Sequence, residues 1–261
     1  MLWRIDHAGR APSYVFGTLH VSDPRVVTLP PAVEGAFQSS AAVGLETVKR
    51  DRTAMYRLPA GGDLEQIVGT DLFEVLLRLG ASEAGFEVKV RRLTPWAAAL
   101  MVERINRSPS DAPVLDGHLR DTARADGKMV FGLEAAAENL AVYKDLPEPQ
   151  QIDYLRSTLR AINAPPKIRR TVREADIAAY LAGDTGYLLR RWNAAFSGGS
   201  PARRRLGHRL LQERSVRFAD RMVPWIEKGG TFLAVGAAHL PGTSGMIALL
   251  RDRGFNVAPV N

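Results

Sequence analysis

Two histidines and two glutamates each follow a short apolar run that stops at a glycine. The runs with their glycines and polar residues are 13–16 with Gly17 and His20, 41–43 with Gly44 and Glu46, 128–131 with Gly132 and Glu134, and 231–235 with Gly236 and His239. The chain therefore holds two Gly-x-x-His and two Gly-Leu-Glu segments, in the order His, Glu, Glu, His. Imidazoles and carboxylates bind divalent ions such as Mn, Co or Zn, and such an ion acidifies water for hydrolysis.

The apolar runs themselves predict strands, because they are short, rich in β-forming residues and ended by glycine. Ligand sites in α/β sheets lie at the carboxyl ends of the strands, so the four polar side chains are expected to converge there. The symmetric order of the motifs suggests two pseudo-symmetric halves. A fifth run, residues 255–260, predicts a strand at the sheet edge because it contains Pro259.

Apolar residues spaced by three or four predict helices elsewhere in the chain. The predicted helices cover about 30–38, 72–79, 95–107, 115–126, 134–144, 149–161, 166–196 with a break near Gly183 and Gly186, and 201–227. This pattern predicts an α/β fold. Its central mixed sheet comes from the N- and C-terminal segments and is flanked by helices. We expect a single domain over residues 1–261, with a mostly helical insertion at about 60–200.

The composition limits both the class of protein and its chemistry. A chain of 261 residues with 46% hydrophobic and 24% charged residues is typical of a globular domain. It contains no cysteine, which excludes disulfides, thiolate metal sites and a cysteine nucleophile, so any metal site must use imidazole and oxygen ligands. No apolar run approaches the roughly 18 residues that a membrane helix needs, so no membrane span is expected.

The net charge of +7 is concentrated in residues 151–261, which carry 18 basic and 8 acidic residues. The arginine runs 169–170 and 203–205 lack the interleaved aromatic residues of a single-strand binder, so nucleic acid is not an expected partner. The first residues do not read as a secretory signal. The expected compartment is therefore the cytoplasm if Met1 is the native start, and extracytoplasmic, such as the periplasm, if a signal was removed or missed. The sequence leaves the oligomeric state open.

Several segments resemble the TraB/GumN family, which includes the TIKI metalloproteases and groups with the erythromycin esterase-like and ChaN-like folds. Residues 14–21 and 234–242 are similar to its two Gly-x-x-His blocks, and residues 115–134 are similar to its central block. Residues 213–217 resemble a Glu-Arg-Asn block, with Ser215 in place of the usual asparagine. The resemblance implies an active site formed by His20, Glu46, Glu134, Arg214 and His239.

The expected function is a metal-dependent hydrolase, with a peptide or a small ester or amide as substrate. His20, Glu46 and His239 would hold the divalent ion, and Glu134 would take a proton from water. Arg214 would stabilise the oxyanion or orient a substrate carboxylate. Each assignment has a structural alternative. Glu134 would simply lie in the first turn of the next helix, and Arg214 would pair with a carboxylate of its own helix, Glu213 or Asp220.

Two other functions remain open from the sequence. One is a metal-independent, esterase-like hydrolase in which a histidine acts directly as general base. The other is a non-enzymatic protein that binds haem, iron or a peptide signal through the same histidines. The motifs of other hydrolases are missing, because the chain has no His-Glu-x-x-His helix and no Gly-x-Ser-x-Gly turn.

Overall fold

The computed structural model describes residues 1–48, 56–106, 114–197 and 201–260. The strands are β1 (Leu2–Asp6), β2 (Ser13–Thr18), β3 (Ala42–Leu45), β4 (Met129–Gly132), β5 (Thr231–Gly236) and β6 (Asn256–Pro259). The helices are α1 (Pro24–Val27), α2 (Pro31–Ser39), α3 (Leu64–Val68), α4 (Thr70–Gly80), α5 (Phe86–Val90), α6 (Pro95–Asn106), α7 (Leu115–Ala125), α8 (Ala136–Lys144), α9 (Glu148–Ile162), α10 (Pro166–Leu181), α11 (Thr185–Ser197), α12 (Pro201–His208), α13 (Arg214–Lys228) and α14 (Met246–Asp252).

The strands form one mixed sheet in the order β4-β3-β5-β2-β1-β6. The four strands from β4 to β2 are parallel, so their carboxyl ends share one edge of the sheet. β1 is antiparallel to both β2 and β6. The sheet confirms the predicted α/β class. The two Gly-x-x-His strands, β2 and β5, are neighbours, and so are the two Gly-Leu-Glu strands, β3 and β4.

Of the two strands on the antiparallel side of the sheet, the sequence analysis predicted β6 and missed β1. β6 is the edge strand that its proline predicted, with Pro259 opposite Trp3 of β1. β1 was missed by the sequence analysis, because only Leu2 and Ile5 of its five residues are buried and they do not alternate. Its pairing with two strands compensates for this weak pattern.

The central strands β2, β3 and β5 are buried on both faces, as expected for parallel strands covered by helices. Val43 and Phe232 pack on one face with Phe37 of α2 and Leu119 of α7. The opposite face packs against Phe218, Met222 and Ile226 of α13. These three buried strands form a rigid support for the residues that follow them, whereas the edge strand β4 is partly exposed.

Helices α3 to α11 lie in the region that was predicted as a mostly helical insertion, at about 60–200. Helices α3 to α6 and α9 share their own apolar cluster around Phe73 and Leu155. The predicted helix over 201–227 is interrupted, because Arg209–Glu213 forms a π-helical turn between α12 and α13. Such turns interrupt α-helices often at functional sites. In the part of the chain that the structure describes, no helix is long and apolar enough to cross a membrane.

Candidate active site

The parallel strands bring the four motif residues to one edge of the sheet. Leu45 of β3 lies opposite both Gly132 of β4 and Ala234 of β5, while Thr18 of β2 lies opposite Gly236. The residues that follow these strand ends are His20, Glu46, Glu134 and His239. A 3₁₀ turn, Ala237–His239, carries the last of them. The predicted convergence therefore holds at the level of the backbone.

Glu46 occupies the centre of the site. Its Oε1 accepts a 2.7 Å hydrogen bond from the Gly236 N–H, and its Oε2 accepts a 2.6 Å bond from Arg214 Nη2. Burial alone would raise the pKa of Glu46. The Arg214 charge, the His239 and His20 rings and the Gly236 N–H outweigh burial and hold that pKa well below its usual range. Glu46 is therefore a carboxylate at neutral pH.

Arg214 joins Glu46 to Glu134 in the interior. Its Nη2 donates to Glu134 Oε1 at 2.6 Å, its Nε contacts both Glu134 oxygens, and its Nη1 donates to the Leu210 carbonyl. Burial opposes the charge, but the two carboxylates outweigh it and raise the pKa of Arg214. The alternative partners of Arg214 are excluded here, since Glu213 pairs with His208 and Asp220 with Arg253.

Glu134 is enclosed completely. None of its side-chain surface is exposed, and its oxygens also accept hydrogen bonds from Asn139 at 2.9 Å and Arg217 at 2.9 Å. The following helix, α8, begins at Ala136, two residues later than predicted, so Glu134 precedes that helix and does not lie in its first turn. The sequence alternative for this residue was wrong.

His239 is buried beside Glu46. Its Nε2 lies 3.8 Å from Glu46 Oε1, its Nδ1 lies 2.8 Å from Ser215 Oγ, and its ring packs 5.4 Å from the Phe218 ring. Burial lowers the pKa of His239 to about 4, although the Glu46 and Glu134 carboxylates favour the charged ring. The ring is therefore neutral at pH 7.

His20 lies at the solvent-facing side of the site, with half of its side chain exposed. Its Nδ1 lies 2.9 Å from Asp116 Oδ2, and the other oxygen of Asp116 accepts a 3.0 Å hydrogen bond from Thr18 Oγ1. Asp116 belongs to the first turn of α7. One carboxylate thus ties the end of β2 to the start of α7.

Gly236 leaves the space in which these groups meet. A Cβ placed on it would lie 3.2 Å from Glu46 Oε1, 3.6 Å from His239 Cδ2 and 3.8 Å from His20 Nε2. Three side chains from three strand ends therefore surround one point that a glycine keeps open. Within the described ranges, no three His, Asp or Glu side chains are arranged as a ready metal site.

Sequence reasoning missed some of the groups that touch the site. Asp116 was only part of a similar block, and Ser215 was noted only as a departure from the family pattern. Their contacts with His20 and His239 span 96 and 24 residues of sequence. No local spacing marks such partners, so the fold was needed to find them.

Comparison with known proteins identifies the family. The TraB/PrgY/gumN family model matches residues 1–259. The chain belongs to the TraB/PrgY/gumN family. This TraB/PrgY/gumN protein is 25% identical over 299 residues to Metalloprotease TIKI2 of Danio rerio. The match covers 94% of the chain but 58% of that relative, so the chain spans little more than half of the relative's length. No solved structure matches the chain significantly.

Proposed function

We propose that this TraB/PrgY/gumN protein is a hydrolase that cleaves peptides with the help of a divalent metal ion. The observation that carries the proposal is the pair His239 Nε2 and Glu46 Oε1, a neutral imidazole nitrogen and a carboxylate oxygen 3.8 Å apart beside Gly236. Two ligands at about 2.1 Å from one tetrahedral ion lie about 3.4 Å apart, so this pair suits a shared cation.

His20 would be the third ligand, because its Nε2 borders the same open point at Gly236. A divalent ion at such a site lowers the pKa of a water molecule and polarises the substrate carbonyl. The similarity to Metalloprotease TIKI2 supports hydrolytic chemistry of this class. We extend its peptide substrate to this chain as part of the proposal.

Arg214 and Glu134 receive roles different from those that the sequence suggested. Arg214 is 6% exposed and all of its nitrogens donate to Glu46, Glu134 or the Leu210 carbonyl, so none is directed at a substrate oxyanion. Glu134 has no exposed side-chain surface with which to take a proton from water. We assign a positioning role to both residues. Arg214 orients Glu46 and keeps it ionised, and Glu134 holds Arg214 in place.

The pair of His20 and Asp116 favours a second candidate, hydrolysis without a metal. A half-exposed histidine oriented by a carboxylate is the usual arrangement of a general base. A water molecule would give its proton to His20 Nε2 while its oxygen bonds to the carbonyl carbon. The ring would then return that proton to the leaving nitrogen or oxygen as its bond to carbon breaks.

Metal analysis separates the two candidates. We expect the purified protein to contain about one equivalent of Mn, Co or Zn by mass spectrometry, and to cleave a fluorescence-quenched peptide. Dialysis against excess chelator should remove the metal and abolish cleavage, and adding the metal back should restore cleavage. Full cleavage in chelator by metal-free protein would contradict the first candidate and support the second. Absence of peptide and ester cleavage with every metal would contradict both.

Replacement of Gly236 with alanine tests the open point itself. The new Cβ would enter the space between His20, Glu46 and His239, and we expect kcat/KM for the peptide to fall at least about tenfold. The backbone at Gly236 has φ −52°, which alanine adopts, so the free energy of unfolding should change by less than about 1 kcal/mol.

Gly35 provides the matched control for this substitution. It lies in α2, where an added Cβ meets no atom within 4 Å. Gly35→Ala should leave kcat/KM unchanged and raise the free energy of unfolding by about 0.5–1 kcal/mol. Wild-type turnover in Gly236→Ala would show that the reaction does not use this point.

A further inference from the structure

In both site histidines, the ring nitrogen Nδ1 faces away from the open point at Gly236 and lies within hydrogen-bonding distance of a side-chain oxygen. Asp116 Oδ2 lies 2.9 Å from His20 Nδ1, and Ser215 Oγ lies 2.8 Å from His239 Nδ1. We propose that Asp116 and Ser215 are positioning residues that fix both rings with the proton on Nδ1, so that each Nε2 presents a lone pair. This inference rests on the proposed function, in which both histidines act through Nε2.

The argument for His20 follows from the acceptors of Asp116. A carboxylate has only acceptor atoms at neutral pH, so it pairs with a neutral imidazole only through an N–H of that ring. Asp116 Oδ1 is held by the Thr18 hydroxyl, which fixes the direction of Oδ2 toward His20 Nδ1. When the His20 ring carries a single proton, that proton is therefore on Nδ1.

The argument for His239 follows from the single proton of a hydroxyl group. Ser215 Oγ lies 2.8 Å from the Leu211 carbonyl oxygen, which accepts but cannot donate. The Ser215 proton is therefore used on Leu211, and Oγ turns a lone pair to His239 Nδ1. The ring must supply the proton of that second hydrogen bond. Leu211 lies in the π-helical turn, so this turn supplies the carbonyl that sets the direction of the Ser215 hydroxyl.

The two fixed rings serve the same point. His239 Nε2 faces Glu46 Oε1 at 3.8 Å, and His20 Nε2 lies 3.8 Å from the Cβ position of Gly236. A neutral histidine in water exchanges its proton between both nitrogens, and partners at Nδ1 remove that exchange. Partners of this kind typically change metal affinity 10–100-fold when they are removed. Hydrogen bonds to Asp116 and Ser215 thus keep both histidines in the tautomer that leaves the Nε2 lone pair available.

The test reads the tautomers directly, in protein stripped of metal by a chelator. Long-range ¹H–¹⁵N correlation spectra of ¹⁵N-labelled protein, at a pH above the titration of both rings, distinguish a protonated from an unprotonated ring nitrogen. We expect both His20 and His239 to show a protonated Nδ1 and an unprotonated Nε2. Either ring with its proton mainly on Nε2 would overturn the proposal for that ring, without the need for any variant.

Variants then identify the residues that are responsible. Asp116→Ala should shift His20 alone to a mixture of tautomers, and Ser215→Ala should shift His239 alone. Each should also weaken Zn²⁺ binding in a calorimetric titration by 10–100-fold. Asp121→Ala replaces an exposed carboxylate on the same helix, paired with Arg120, and should change neither spectrum nor affinity. Ser215→Thr keeps the hydroxyl and should keep the His239 tautomer.

The outcomes for tautomer and metal are separable. Wild-type tautomers as expected with no Zn²⁺ binding would leave the positioning role intact while contradicting the metal in the proposed function. Unchanged tautomers in folded Asp116→Ala and Ser215→Ala, as judged by circular dichroism, would show that these residues serve only the packing of α7 and α13.

Discussion

Replacement of Arg214 with methionine is expected to lower the free energy of unfolding by about 3–5 kcal/mol, measured by urea denaturation at pH 7. Methionine fills much of the same volume but leaves Glu46 without its arginine and Glu134 with Arg217 as its remaining cation. The Glu134 side chain has no exposed surface and that of Glu46 is 13% exposed, so water cannot replace the lost hydrogen bonds. The loss reflects the buried Glu46 carboxylate left uncompensated, and a Glu134 carboxylate with one cation fewer, more than the strength of the ion pair itself.

The pH dependence of this loss has a defined sign. In the wild type the pKa of Glu46 lies below its unfolded value, so the carboxylate stabilises the fold at neutral pH and this stabilisation is lost as the pH falls. Without Arg214, burial dominates and raises the Glu46 pKa above the unfolded value of about 4.3. The variant then loses stability as the pH rises. The difference in free energy of unfolding between the wild type and the variant should therefore shrink below about pH 4.

An exposed ion pair gives the control for this measurement. Arg104 pairs with Glu83 and 60% of its side chain is exposed, so Arg104→Met should cost less than about 1 kcal/mol. A cost of the same small size for Arg214→Met, or a difference from the wild type that grows at low pH, would contradict the buried network.

Replacement of His20 or His239 with alanine is expected to lower kcat/KM for peptide cleavage at least about 100-fold, because each ring supplies a group at the reaction centre in both candidate mechanisms. Bound metal should fall in both variants if the first candidate is correct. His20 is half exposed, so its variant should remain as stable as the wild type. His239 is buried, and its variant is therefore also made as His239→Gln, which keeps most of the volume.

His118 provides the matched histidine control. It lies on α7, two residues after Asp116, and takes part in none of the site contacts described above. His118→Ala should keep wild-type kcat/KM and metal content. Turnover that survives in both His20→Ala and His239→Gln would contradict a reaction centre at this edge of the sheet, whichever mechanism operates.

The sequence predicted most of the sheet because its signals are local. Runs of β-forming residues that stop at Gly17, Gly44, Gly132 and Gly236 mark four strands, and their parallel pairing follows the general rule for α/β folds. β1 escaped because its pairing with β2 and β6, and not its own residues, makes it a strand. The π-helical turn escaped as well, since a change of helical type leaves the apolar spacing almost unaltered.

The position of the four motif residues at one edge of the sheet was predictable from sequence, but their contacts were not. Motif position put His20, Glu46, Glu134 and His239 at strand ends, which the structure places at one edge. The partner of Arg214 could not be chosen from sequence, because Glu213 and Asp220, one and six residues away, are as plausible as Glu134, which is 80 residues away. The proposed roles rest on which side chains are buried, and burial is a property of the assembled sheet.

The position of β5 also affects how the protein is made. β5, residues 231–236, lies between β3 and β2, although both of those strands are synthesised long before it. The two early strands have no direct pairing with each other, so on the ribosome their facing edges stay unpaired until residues 231–236 have emerged. The sheet therefore stays incomplete until β5 has emerged, and the nascent chain is most exposed to aggregation and to chaperones during that interval.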